Sequence, residues 1–423
     1  MTDLLLHNRN FALLWLSQII SKLGDIFWSV AIMVTIFART GSALQTVGVM
    51  VAAALPAFFL GPVAGVLVDR YPRKQVMITM DMVRAALVGI LLITSTRGDL
   101  NIWIIYLIVA GLSIASTFFE PARLAILPSL VSKDDLVRAN GLVMSTNQAT
   151  YALGYALGGV MVLAIEFQTM IAVDFVSFLL AALAVAFIAV PEREREKQKQ
   201  TQRLPMHRAV ADGLSYLRNH KLARPLVTME ILEHFPHAIW SSALMLVFTT
   251  EALNAGPEFW GFQSSIYFGG MFVGALLAAA MSTRLSRRPG WAIIGNAFLF
   301  SGLTIGYALS PSLTFTLFLC FFFGPTSAIR DVSQDSLLQS QVDPMVMGRV
   351  YATRNMFSNL AFMLAGLSFA WMADQTNVRW VYLIGGMLYF GTALFALSSS
   401  TIRNSQITYS TTEGQEASAQ SAA

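Results

Sequence analysis

Two sets of ionisable residues stand inside long apolar runs of this sequence. Asp25 falls 14 residues after Phe11, where the first run begins, which at 1.5 Å per helical residue puts it roughly 21 Å deep. The seventh run carries Glu230, Glu233, His234 and His237. At about 100° per residue these four fall at roughly 0°, 300°, 40° and 340°, one narrow helix face. An acid at the centre of a bilayer costs about 2.5 to 3.5 kcal/mol, so such groups face water, a partner or a ligand and mark pathways by default. Carboxylates and imidazoles in that setting carry protons or meet a cationic solute. Two alternatives stand beside this reading: an ion pair of Asp25 with Lys22 one turn earlier, and a polar cytoplasmic entry for the seventh helix. A metal site would require Asp25 to converge with the seventh-helix face; neither a metal nor a cofactor is expected.

The elements that position these residues follow from composition. The chain has 55% hydrophobic and 12% charged residues, against roughly 25% charge in an ordinary soluble globule. A bilayer core needs about 20 apolar residues per spanning helix, and about twelve such segments are present. They begin near Phe11, Leu44, Gln75, Ile102, Gly141, Gln168, Pro225, Phe259, Trp291, Ser312, Val350 and Arg379. The fold class is therefore an all-α membrane protein. Cytoplasmic loops retain Lys and Arg. The connections after segments 2, 4, 6, 8 and 10 hold Arg70, Arg73, Lys74, Lys133, Arg138, the Arg193 to Arg224 group, Arg284, Arg287, Arg288 and Arg349, whereas the opposite connections hold Arg39, Arg97 and Arg379. Both termini are predicted to be cytoplasmic. The net charge of +4 follows from this loop bias and points to no nucleic acid. The first run is too long for a cleaved signal peptide, and the single cysteine, Cys320, rules out an intrachain disulfide.

The organisation is twofold. Leu127, Val131 and Arg138 reappear as Leu338, Val342 and Arg349, and Arg70, Arg73 and Lys74 as Arg284, Arg287 and Arg288. Such offsets predict two six-helix pseudo-repeats, here residues 1–190 and 225–402. Between them, 191–224 is a cytoplasmic linker with nine Lys/Arg against four Asp/Glu, suited to lie beside anionic headgroups. The tail, 403–423, is Ser/Thr/Gln/Ala-rich without apolar period and is predicted to be disordered. Helices 1 and 7 are equivalent across the repeat, so their acids are expected to face one cavity. Glu120 to Arg123 and Arg330 to Asp335 end helices 4 and 10 and are expected to carry gate ion pairs or cap charges.

Gly65, Asp69, Arg70, Arg73 and Lys74 lie between segments 2 and 3. Glycine lets the helix pack closely, and the acid can pair with a cation or a helix N-terminus. The group resembles the gating loop of the major facilitator superfamily of secondary transporters, where the acid latches against the start of helix 11, here near Gly348 to Arg354. Thr283 stands at the matching place in the second half, so the resemblance implies an asymmetric latch. Ser21-x-x-Gly24-Asp25, Thr40-Gly41-Ser42-Ala43, Pro56, Asp81-x-x-Arg84, Pro128 to Asn140 and Gly348-Arg349-Val350 are similar to the branch containing macrolide efflux and enterobactin export proteins. Gly154-Tyr155-x-x-Gly158-Gly159 resembles the Gly-Pro-x-x-Gly-Gly antiporter motif with Tyr in place of Pro, and serves close helix packing equally well.

That resemblance implies a monomeric multidrug-type efflux antiporter of the cytoplasmic membrane, exporting an amphipathic organic small molecule, a drug or macrolide, against protons and surrounded by the lipid bilayer. A siderophore exporter or lysophospholipid transporter shares every motif quoted, and a membrane-embedded enzyme or a non-transporting sensor are the alternatives of other classes. The sequence contains no Gly-x-x-x-x-Gly-Lys-Ser/Thr loop and no His-Glu-x-x-His, the marks of ATP hydrolysis and of zinc proteolysis.

Overall fold

The computed structural model describes residues 2–68, 71–97, 101–132, 135–189, 206–342 and 344–406. Among them every regular element is helical. The twelve long helices are α1 Arg9–Thr40, α2 Ala43–Val68, α3 Arg73–Thr96, α4 Ile102–Leu130, α5 Leu136–Ala164, α6 Phe167–Ala186, α7 Ala223–Ala252, α8 Pro257–Ala280, α9 Pro289–Leu309, α10 Leu313–Gln341, α11 Pro344–Gln375 and α12 Val378–Ser398. Eleven are long and apolar enough to cross a membrane. The other, α5, spans 29 residues and is diluted by Asn140, Thr146, Asn147, Gln148 and Thr150. The helices start within two residues of the apolar runs except α5 and α11, which begin five and six residues earlier.

Packing repeats with the sequence. In the first half α1 packs on α5 and α6, α2 on α4, and α3 on α4 and α6. Six helices on, α7 packs on α11 and α12, α8 on α10, and α9 on α10 and α12. Between the halves α5 meets α8 and α2 meets α11, again a symmetric pair. Apolar side chains such as Leu107, Leu153, Leu163, Phe318 and Met387 stand exposed around the bundle, the belt that lipid would cover. Within the linker, Met206–Asn219 is helical and lies on α11. The predicted disorder of the tail falls, from residue 407 on, outside the described residues.

Helices 4 and 10 do not end at their charged motifs but run on to Leu130 and Gln341. The charges can sit inside the helices because each pair is local. Arg123 reaches Glu120 at 2.6 Å and Arg330 reaches Asp331 at 2.9 Å. Neither pair spans the two halves.

The halves touch through stacked aromatic rings, Tyr151 and Tyr155 of α5 against Phe268 of α8, and through backbone and caps. A Cβ on Gly159 would lie 3.1 Å from the Cα of Gly261, so only glycine allows α5 and α8 this close. At the end away from the chain termini, Gly41 turns the chain at φ +61° and its N–H closes on Phe37 O at 2.8 Å. The first amides of α2 then find their acceptor in the other half. Asp374, near the end of α11, takes hydrogen bonds from Ser42 Oγ at 2.7 Å, Ala43 N at 2.5 Å and Leu44 N at 3.1 Å. Arg379 ties the same end of the second half by donating to Ala308 O, Ser310 O and Ala252 O at 2.7 to 2.9 Å.

Asp374→Ala is expected to loosen this end without unfolding either half. Loss of an N-cap costs about 1 kcal/mol, a shift of about fivefold in the open population. In a Cys320→Ser background, the thiol of Met50→Cys on the cavity wall should then react about fivefold faster with an impermeant reagent applied from the capped side. An unchanged rate removes Asp374 from the clamp.

Candidate functional site

The seventh helix is broken at mid-depth. Pro236 lacks an N–H, and the helix tightens to a 3₁₀ turn over Ala238–Trp240 before stopping at extended Ser241, φ −58° and ψ 145°. Ser241 Oγ accepts from Leu244 N at 3.4 Å and restarts the helix as Ser242–Val247, which widens to a π turn at Phe248–Ala252. Irregular backbone at this depth is tolerated where it lines a cavity. Ser241 and Ser242 do so: they form part of the wall of a cavity of about 590 Å³ between the halves. Its walls are mostly apolar, with Trp28, Phe178, Phe362 and Met363 among them, and the charged residues lining it are Asp25 and Arg84. Tyr155 Oη stands 3.4 Å from Ser242 Oγ across the interface.

Asp25 also lines a second, polar chamber of about 220 Å³ inside the first half, with Lys22, Arg84, Glu120 and Arg123. Lys22 does not pair with Asp25 there; its Nζ stands over the Tyr151 ring, 4.8 Å from the centroid. Arg84 donates from Nη1 to Asp81 Oδ1 at 3.1 Å and lies over the Phe119 ring at 4.3 Å. Gly24, next to Asp25, is packed against Asp174 and Ser177 of α6.

The second half has its own chamber, about 260 Å³, lined by Glu230, Glu233, His234 and His237 together with residues of α10 and α11. Arg354 Nε lies 2.9 Å from Glu230 Oε2, an ionic contact without the alignment of a hydrogen bond, and Arg354 Nη1 donates to Asp335 Oδ1 at 2.6 Å. Gln334 Nε2 donates to Glu233 Oε2 at 2.9 Å. His234 Nδ1 donates to Glu230 O at 2.7 Å, and His237 Nδ1 meets Tyr389 Oη at 2.8 Å. His237 also lines an aromatic side pocket of about 110 Å³, which shares Tyr155 and Ser242 with the central cavity. Among the described residues no group of three or more His, Cys, Asp or Glu is arranged to hold a metal ion.

The four residues of α7 thus share one chamber, but Asp25 does not share it with them. The expectation of a single cavity for both sets is corrected by the break: Glu230 to His237 precede it, on the regular helix packed against α11, whereas Asp25 faces the cavity beside the break. Of the loop motif, Gly65 lies within α2, while Asp69 and Arg70 fall outside the described residues. Arg73 donates to Ala125 O at 2.7 Å, and Lys74 to Ala186 O and Ile188 O at 2.7 and 2.8 Å, tying the start of α3 to α4 and to the end of α6. Sequence reasoning missed Asp174, Gln334 and Asp374. For Asp174 the signal was present, an acid inside the apolar run of α6; for the other two there was none.

Removing one partner of a buried ion pair is costly because it strands the other, whereas removing both is not. Glu230 is 2% exposed. Arg354→Met should therefore destabilise the protein by about 3 kcal/mol, and the further change Glu230→Gln should restore most of it. Thermal unfolding in detergent reads both; equal stability of the single and double variants would show that the pair carries no such load.

The family described as transmembrane secretion effector matches residues 5–417. The chain is 28% identical to the MFS-type transporter YjbB of Bacillus subtilis over 402 residues, 93% of this chain and 96% of the relative. It is 25% identical to macrolide efflux protein A of Streptococcus pyogenes over 398 residues, again 93% and 96%. Among solved structures, the nucleoside transporter NupG aligns with a TM-score of 0.72 at 13% identity, covering 92% of this chain and 98% of that one. A bacterial homologue of the iron transporter ferroportin, in an inward-facing state, aligns with a TM-score of 0.71 at 14% identity, covering 92% and 99%. These structural likenesses speak for the fold alone, and with the family match they establish that the chain belongs to the major facilitator superfamily of membrane transporters, in its transmembrane secretion effector family.

Proposed function

We propose that the protein exports an amphipathic organic compound from the cytoplasm in exchange for protons. The observation that carries this reading is the position of Asp25, shared between the apolar central cavity and the polar chamber of the first half. A carboxylate there serves two ligands in turn: the polar or cationic head of a solute on one side and a proton arriving on the other. Mostly apolar walls suit the rest of an amphipathic molecule. The similarity to a macrolide efflux protein supports the outward direction.

The loop charges support cytoplasmic termini in an inner membrane. The clamp at Asp374 then lies on the far side. Glu230, Glu233, His234 and His237 form a second titratable store in the other half, and Gly65, Asp69, Arg70, Arg73 and Lys74 form the inner gate. In that gate Asp69→Asn should cut flux severely while leaving protein in the membrane.

Growth of a pump-deficient bacterial host expressing the chain, across a panel of macrolides, dyes, siderophores and lysophospholipids, identifies the solute. With it, Asp25→Asn in proteoliposomes should reduce uphill export to background and spare downhill exchange, because the amide mimics a permanently protonated acid. Uphill export with a normal pH dependence in Asp25→Asn would overturn the coupling role.

A further inference from the structure

Among the described residues of the first half, the acids buried at its centre outnumber the cations beside them. Asp174 on α6 and Asp81 on α3 are both 0% exposed. Arg84 is committed to Asp81 through Nη1, and its guanidinium is sandwiched by Phe119 and Phe178, with centroids at 4.3 and 5.6 Å. Glu120 and Arg123 neutralise each other. Lys22, over Tyr151, shares a chamber with Asp25. That leaves Asp25, Asp81 and Asp174 against Lys22 and Arg84, three acids to two cations.

Asp174 is the one left over. Its Oδ1 meets only the hydroxyl of Ser177, at 3.3 Å, and that hydroxyl is already bonded to the carbonyl of Asp174 itself at 2.8 Å. Its Oδ2 is buried and has no partner. An ionised carboxylate so placed would be far costlier than the neutral acid. The site is also adjacent to the cavity acid: a Cβ on Gly24, the residue before Asp25, would lie 2.6 Å from Asp174 Oδ1.

We propose that Asp174 is a second proton-carrying site, protonated in this conformation, which stores the proton that Asp25 exchanges. The step is a proton transfer: the O–H bond of Asp174 breaks, an O–H bond forms on the Asp25 carboxylate, and the negative charge passes to Asp174. Arg84, whose Nε has no partner here and whose guanidinium lies over the ring of Phe178 on the same helix as Asp174, would stabilise that charge while Nη1 keeps Asp81. The number of protons and the net charge of the cluster are unchanged by the step. The inference rests on the proton-exchange reading of Asp25 for its purpose, and not for the protonation itself.

Infrared difference spectroscopy of the full chain in lipid nanodiscs at neutral pH tests it, because a protonated carboxylic acid has a carbonyl stretch that a carboxylate lacks. The spectrum of Asp174→Asn should lose one such band, Asp25→Asn should keep it, and Ser177→Ala should shift it, since only the hydrogen bond to the acid changes. In proteoliposomes Asp174→Asn should lose uphill export and keep downhill exchange. No band lost in Asp174→Asn overturns the proposal. Should that variant fail to fold, the Ser177→Ala spectrum decides: an unshifted set of acid bands overturns it equally. A band that behaves as expected in a protein with no proton-dependent flux would leave the protonated site standing and defeat the antiport reading instead.

Discussion

A charge in a medium of low dielectric has to be matched where it stands, and this protein meets that constraint within each half separately. Arg84 is held by Asp81 in the first half; in the second, Arg354 is held by Glu230 and Asp335 and Arg330 by Asp331. Among the described residues no ion pair crosses between the halves. What crosses carries no net charge pair: the stacked rings of Tyr151, Tyr155 and Phe268, a glycine contact at Gly159 and Gly261, a hydroxyl pair at Tyr155 and Ser242, and the cap that Asp374 places on α2. Breaking a deep ion pair costs several kcal/mol, whereas trading an exposed cap for water costs about one. Two halves built this way can rock against each other without stranding a charge in lipid or protein.

The same constraint explains the seventh helix. An unbroken helix would satisfy its own amides and leave the cavity wall with side chains only. Pro236 and Ser241 interrupt it where the wall needs polarity, and the aromatic cluster of Trp240, Phe300, Tyr307, Phe323 and Tyr382 packs behind the interruption. The orphaned amides are answered locally, by the Ser241 hydroxyl and by the tighter and wider turns that flank the break. Rigidity behind the break and polarity in front of it are obtained from one short segment.

The sequence was most informative where the lipid dictates pattern. Apolar runs located the helices because every span must be apolar for about the same length, and the repeated charges located the two halves because the loops recur. It was least informative where two groups meet across helices. The acids of α1 and α7 looked equivalent by repeat, but a break that depends on Pro236 and Ser241 together separates them. Glu120 with Arg123 and Arg330 with Asp331 looked like gate partners, since spacing alone does not say whether a cation reaches along its own helix or across to another. Asp374 gave no signal, being an exposed acid near a helix end like any other. Asp174 was visible as the one ionisable residue among the 20 of α6, but its meaning depends on what Gly24 lets approach it.

Gly24 shows how a small residue can determine an electrostatic site. In α1 it sits beside Asp25, and a Cβ there would come within 2.2 Å of Ser177 Oγ and 2.9 Å of Ser177 Cβ as well as close to Asp174. Any larger residue therefore pushes α6 away from α1, and with it the side chains of Asp174, Ser177 and Phe178. Phe178 is one of the two rings flanking Arg84, so the displacement would also loosen the guanidinium that Asp81 holds. The motif Ser21-x-x-Gly24-Asp25 is thus more than an acid with a tolerant neighbour. Its glycine sets the distance between two helices, that distance brings a second buried acid beside the first, and the cation shared among them has its place fixed by the same contact.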